Sequence, residues 1–245
     1  MAPSELESAK VVEEVIRRRR SIRVFEPGTI PSEHIEHCLD MAMLAPNSSN
    51  LQAWEFYWIQ SPEVRKKAVE ACFSQAAAAT ANELIAFIAR TRTWRRIVTH
   101  NAEVLSALEK QGARIPEALW TYTRKIIPFT YSNGVLGLKG LLKKVLFFVM
   151  GLVRPSPRGP TTESDLRLWA HKTVALAAEN FMLAAGSLGY DTCPMEGFDP
   201  KRLHRALNLP RDARITMVVA VGRRRPSVSV LPQIRAPRDW FVHRV

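Results

Sequence analysis

The run Thr216-Met217-Val218-Val219-Ala220-Val221 carries no charge and offers no polar face beyond its first residue. A strand of that kind needs apolar cover on both sides, which places it in the centre of a sheet with further layers above and below. Leu84-Ile85-Ala86-Phe87-Ile88-Ala89 has the same character, and Trp54-Glu55-Phe56-Tyr57-Trp58-Ile59, short, aromatic and bounded by polar residues, reads as another strand. Helical periodicity alternates with them. Val11, Val12, Val15 and Ile16 mark a helix from Glu5 to Arg20 that closes on four arginines. Pro31-Ser32-Glu33 opens a second helix, whose stripe Ile35, Leu39, Met43, Leu44 stops at Ala45-Pro46. Residues 62–82 and Leu166 to Leu188 supply two more. With 245 residues, this alternation fits one compact body of α/β character.

Between residues 93 and 163 the pattern loosens, with Pro116, Pro128, Pro155, Pro157 and Pro160 interrupting helical stretches, and the segment reads as an insertion. Within it, residues 134–153 carry Lys139, Lys143 and Lys144, and the uninterrupted apolar run, Val145 to Val153, is too short to span a bilayer. Lys139 and Lys143 share one face at i,i+4 with leucines on the other, the pattern of an amphipathic helix. Such a helix suits a lid or a subunit contact, and peripheral membrane attachment is the alternative.

Thirty-five Lys and Arg against 23 Asp and Glu leave a formal charge of +12, which favours anionic partners without choosing among them. Arg223-Arg224-Arg225 adds to the basic tail, but the aromatics are not interleaved with the basic clusters as a single-strand-binding platform requires, so nucleic acid is not expected. Cys38, Cys72 and Cys193 are odd in number and far apart, unlike a disulfide scaffold or a structural zinc site. A reducing, cytoplasmic setting fits them. The first ten residues, with two glutamates and no apolar core, do not read as a signal peptide.

Three separated clusters carry the chemistry. In Arg19-Arg20-Ser21-Ile22-Arg23, guanidinium forks suit a phosphate and the hydroxyl suits a further oxygen, although an arginine run at a helix end also serves as a solvated face. Pro46-Asn47-Ser48-Ser49-Asn50, between a helix and an aromatic strand, offers amides and hydroxyls to sugar or ring carbonyl oxygens, or makes an ordinary turn. Gly189 to Phe198, with Pro194-Met195-Glu196-Gly197, reads as a loop whose backbone a ligand can approach closely.

Taken together and in order, these motifs resemble the nitroreductase family of FMN-dependent oxidoreductases, over most of residues 8–92 and 163–240. The resemblance implies an α+β fold, a sandwich with a central mixed sheet flanked by helices, in a domain-swapped homodimer with FMN at the subunit boundary. It implies one domain over 8–240, with 93–163 as an inserted helical lid or channel wall. Arg19 and Ser21 then bind the phosphate and ribityl end, Arg20 lies beside them, and Arg23 reaches the pyrimidine edge of the isoalloxazine. Pro46, Asn47, Ser48 and Asn50 come from the second subunit. Pro194 and Met195 cover one ring face, leaving the backbone N–H groups of Glu196 and Gly197 near flavin N5 and O4, and Arg235 completes a phosphate clamp in which Gln233 has lost the family's charge. NAD(P)H is a transient co-substrate in ping-pong turnover through flavin N5, and the acceptor is a nitroaromatic, a quinone or a related conjugated molecule. A reductive-dehalogenase-like or flavin-consuming specialist is the alternative within the same superfamily.

The sequence also departs from the family pattern. Ala53 stands where proline is usual, and Ala76 to Ala79 lack a lysine that some bacterial members place near the ring, which leaves Arg23 as the ring-edge cation. Trp120, Tyr122, Phe129 and Tyr131 in the insertion are candidate acceptor contacts. His34, His37 and Cys38 share a helix without the companions a metal needs, and no G-x-G-x-x-G follows a strand, so neither a metal nor a resident Rossmann domain is expected.

Overall fold

Strand β1 (Trp54–Trp58), β2 (Glu83–Arg90), β3 (Asp191–Met195) and β4 (Ala213–Gly222) form a sheet of order β1-β2-β4-β3 in the computed structural model, which describes residues 5–134 and 137–245. The opening four residues and Val135-Leu136, at the start of the 134–153 segment, lie outside the described residues. All three ladders are antiparallel, and a parallel pairing enters at an isolated bridge between Ser21 and Thr192. The two fully apolar runs, on β2 and β4, occupy the centre.

Alternation along these central strands divides the core in two. Ile85, Phe87 and Ala89, with Met217, Val219 and Val221, face one way, and Leu84, Ala86 and Ile88, with Val218 and Ala220, face the other. The first layer is covered by α2 (Ser32–Met43) and α9 (Glu163–Ser187), where Phe181 meets Phe87 edge-on at 5.4 Å. The second is covered by α3 (Pro62–Ala71), α4 (Ala76–Thr80) and α10 (Pro200–Ala206). A sheet with helices on both faces is the α+β sandwich anticipated.

Local chemistry sets the ends of these elements. Helix α9 begins with a capping box, in which the Thr162 hydroxyl accepts from the Asp165 N–H and the Asp165 carboxylate accepts from the Thr162 N–H. The helix expected over 62–82 is broken after α3, because Phe73 and Ser74 both adopt left-handed backbone, at φ 58° and 50°. Neither Gly nor Pro marks that break.

Helix α1 (Glu5–Arg18) lies against α9, and Leu6, Val11, Val12 and Ile16 are exposed on it. The segment between β2 and α9 holds α5 (Trp94–Lys110), α6 (Glu117–Thr121), a π-helical turn over Tyr122–Ile126, α7 (Ile127–Tyr131) and α8 (Leu138–Gly151). Leu51, Trp94, Ile127, Tyr131 and Leu166 form a small core of their own that ties this segment to α9. No helix among the described residues is long and apolar enough to cross a membrane.

Candidate functional site

After α1 ends at Arg18 the chain extends along the outer edge of β3, where the Ile22 N–H donates to the Thr192 carbonyl at 3.1 Å. The next rung of that parallel pairing would need an N–H at residue 194, which is proline, so the pairing stops after one bridge. Phe25 bridges Arg224 instead, and the Glu26 N–H donates to the Arg223 carbonyl at 2.9 Å. Two short clamps thus hold residues 19–23 against the sheet edge. Burial pushes the Cys193 thiol above its ordinary pKa, while the nearby Arg23 and Arg19 charges pull it back, so cationic charge gathers at this edge.

Arg19, Arg20, Ser21 and Arg23 line one groove of about 390 Å³ with Arg235, brought in from the far end of the chain, and Val228–Leu231 forms the opposite wall. The Arg20 guanidinium donates across it to the Leu231 carbonyl. Arg19 and Arg235 also line an adjoining groove of about 860 Å³, together with Val12, Ile16 and Gln233. Gln233 spans from the tail to α1, its Nε2 donating to the Arg17 carbonyl at 3.2 Å. Of the other arginine run, Arg223 lies 5.2 Å over the Tyr190 ring and Arg224 grips the nearly buried Asp191 carboxylate through Nε at 2.8 Å and Nη2 at 2.5 Å. Those two are structural partners of β3.

Residues 191–195, read from the sequence as part of a loop, are the edge strand β3 itself; Pro194 is tolerated because an edge strand has one side without a ladder. Met195 is buried and Pro194 half-buried at its end. Glu196 and Gly197 then leave the sheet, and the Gly197 carbonyl accepts from Gln75 Nε2 at 2.6 Å. A Cβ at residue 197 would stand 3.3 Å from that same Nε2, so glycine lets the two segments close up. His171 on α9 pairs with the Thr216 hydroxyl at 2.8 Å; burial and then the Arg214 charge push its pKa down, with Glu196 opposing.

The loop Pro46 to Asn50 carries its own constraint. Ser49, Asn50 and Gln52 adopt left-handed backbone at φ 59°, 48° and 44°, an unusual density for residues with side chains. Asn47 Oδ1 accepts from the Gln52 N–H at 2.9 Å, and Asn101 Nδ2 donates to the Asn50 carbonyl at 3.0 Å. The hydroxyls of Ser48 and Tyr131 lie 3.1 Å apart, and those of Ser49 and Tyr122 2.7 Å apart. These tyrosines belong to the segment between β2 and α9, a pairing that nothing in the linear pattern announces. Ser48, Ser49, Tyr122, Phe129 and Tyr131 line a cavity of about 790 Å³ beneath α8. Trp120 is instead buried, with the Arg124 guanidinium 4.0 Å over its ring. Within one chain the serine loop and the arginine groove line different cavities.

The model of the nitroreductase family matches residues 16–223. Protein DrgA of Synechocystis sp. is 29% identical over 212 residues, covering 86% of this chain and 83% of that protein. YfkO of Bacillus subtilis, named as an NAD(P)H nitroreductase, is 28% identical over 193 residues, or 77% of this chain and 75% of its own length. Among solved structures, a nitroreductase-type protein from Exiguobacterium sibiricum in complex with FMN superposes with a TM-score of 0.68 at 22% identity, covering 96% of this chain and 97% of that one.

Proposed function

The chain belongs to the nitroreductase family, and from that premise we propose that it is an FMN-dependent homodimeric oxidoreductase drawing electrons from NAD(P)H and delivering them to a nitroaromatic, a quinone or a related conjugated acceptor. The observation that carries this reading is the convergence of Arg19, Arg20, Ser21, Arg23 and Arg235 on one groove.

That donor set fits the cofactor. Several guanidinium groups and a hydroxyl in a narrow groove match a phosphate with an adjoining chain of hydroxyls. Arg19 and Arg235 hold the phosphate, Ser21 serves the ribityl end with Arg20 beside it, and Arg23 supplies the cation at the ring edge. Pro194, half-buried, covers one ring face with the core-packed Met195 behind it, and the N–H groups of Glu196 and Gly197 orient the ring as donors in this reading. When bound, FMN supplies two-electron redox chemistry, reduced by the nicotinamide and reoxidised by the acceptor in alternating half-reactions.

Loop 46–50 completes the site from the partner subunit in this reading. The separation of its cavity from the arginine groove within one chain supports that arrangement. So do the exposed Val12 and Ile16, apolar side chains beside Arg19 that a partner would cover. The segment 93–163 acts as an insertion within a single domain over 8–240, its Tyr122, Phe129 and Tyr131 facing acceptor across an aromatic wall. Three unpaired, buried cysteines suit a reducing compartment.

Absorbance of the purified protein tests the assignment: flavin bands at about one FMN per chain, bleached anaerobically by NADH or NADPH, are expected. A colourless protein that takes up no added FMN refutes it.

A further inference from the structure

Helix α8 faces the opposite way from an ordinary surface helix. Its inner side is Gly140, Lys143 and Phe147, all buried. Lys143 is 2% exposed, and its ammonium donates to the Thr130 and Pro160 carbonyls at 2.7 and 2.8 Å. A Cβ at residue 140 would lie 2.0 Å from the Thr161 carbonyl oxygen, so the helix crosses that strand of backbone only where glycine stands. These contacts fix the rotation of the helix, and Leu138, Leu141, Leu142, Val145, Phe148 and Val149 point outward, each between 54% and 71% exposed. At about 100° per residue they span an arc of roughly 120°, which Leu146 widens to about 160°. That is broader than the two-position seam of a helix pair.

The segment that carries this face bears charge of a single sign. No Asp or Glu occurs between Glu117 and Glu163, while Arg124, Lys125, Lys139, Lys144, Arg154 and Arg158 do. Lys139 and Lys144 flank the apolar arc on its two sides. A second copy docked here would bring like-charged rims together, whereas an anionic bilayer offers both an apolar interior and opposite charge at its surface. Leu146, Phe147 and Met150 also line the cavity beneath the helix, so that cavity and the apolar face share one wall.

We propose that α8 is a monotopic docking surface for anionic lipid membranes, with its apolar arc seated among the acyl chains and its cationic flanks at the headgroups.

Co-sedimentation of the full-length protein with phosphatidylcholine vesicles, with and without phosphatidylglycerol, tests this. The wild type should partition about tenfold or more in favour of the anionic vesicles. Leu142→Glu with Val149→Glu should lower that binding about tenfold while leaving melting temperature and flavin content unchanged. Lys144→Glu with Arg154→Glu should abolish the preference for phosphatidylglycerol. Failure of the wild type to sediment with anionic vesicles overturns the proposal, as does equal binding by the Leu142/Val149 variant. Light scattering without lipid decides the remaining case: a wild-type assembly larger than that of this variant would make the face a contact between copies and overturn lipid docking.

Discussion

Arg90 at the end of β2 joins three strands, and its removal has a calculable cost. Its Nε and Nη2 each lie 3.1 Å from an oxygen of Asp212, just before β4, and its Nη1 donates to Glu55 on β1. The three side chains are only 14%, 11% and 27% exposed, so Arg90→Met strands two carboxylates in a poorly hydrated place. Breaking a fully buried pair costs about 3–5 kcal/mol, and partial exposure here lowers that to about 2–3 kcal/mol. For a chain of this size that corresponds to a melting temperature lower by roughly 5–10 °C.

Acid tests the cause. Burial pushes the Asp212 carboxyl up, but hydrogen bonds and charge from Arg90 outweigh it and leave the pKa below the ordinary value. A carboxyl depressed in the folded state stabilises above its unfolded pKa, near ~4, and that stabilisation is lost as pH falls through the folded value. The gap between wild type and variant should therefore be largest at neutral pH and shrink on acidification. The shrinkage begins where the variant's carboxyls, raised by burial once Arg90 is gone, take up protons, and ends at the depressed value of the wild type. Urea melts across that range measure it, and a neutral-pH gap under about 0.5 kcal/mol, or one that acid leaves unchanged, refutes the reasoning.

Two further outcomes concern the arginine groove and the cavity beneath α8. Arg19→Ala should weaken FMN affinity of the apoprotein by roughly tenfold to a hundredfold, the loss of one charge-assisted contact worth about 1.5–3 kcal/mol, and fluorescence titration reads it. Unchanged affinity would remove Arg19 from the phosphate site. Tyr131→Phe deletes the hydroxyl that meets Ser48 and Ser49 but keeps the ring tilted against Trp169 at a centroid distance of 4.6 Å. It should alter KM for acceptors several-fold with flavin content unchanged, and steady-state kinetics showing the same KM would exclude a role for this hydroxyl.

The central strands were legible because uninterrupted apolar runs leave few alternatives, and α2 because its stripe meets Pro46. The arginine segment was legible as chemistry but not as geometry: its placement depends on one bridge to Thr192, and Arg235 reaches the groove across more than two hundred residues of chain. Edge strand β3 was hidden by Pro194, a residue that ordinarily argues against a strand. The break at Phe73 and Ser74 was hidden for the opposite reason, since neither residue type advertises left-handed backbone. In α8 the periodicity gave the two faces correctly but not which one turns inward; buried carbonyl oxygens of Thr130 and Pro160 decided that in favour of the lysine.

Pro194 has one more effect. With an N–H at that position, residues 22 to 24 would be free to zip along the margin of β3 as a fifth strand, and the arginines would be drawn into a flat ribbon. Because a ring nitrogen stands there, the chain is released after a single rung and turns to dock on the end of β4. The opening between the N-terminal arm and the tail is thus set by one missing proton on the backbone.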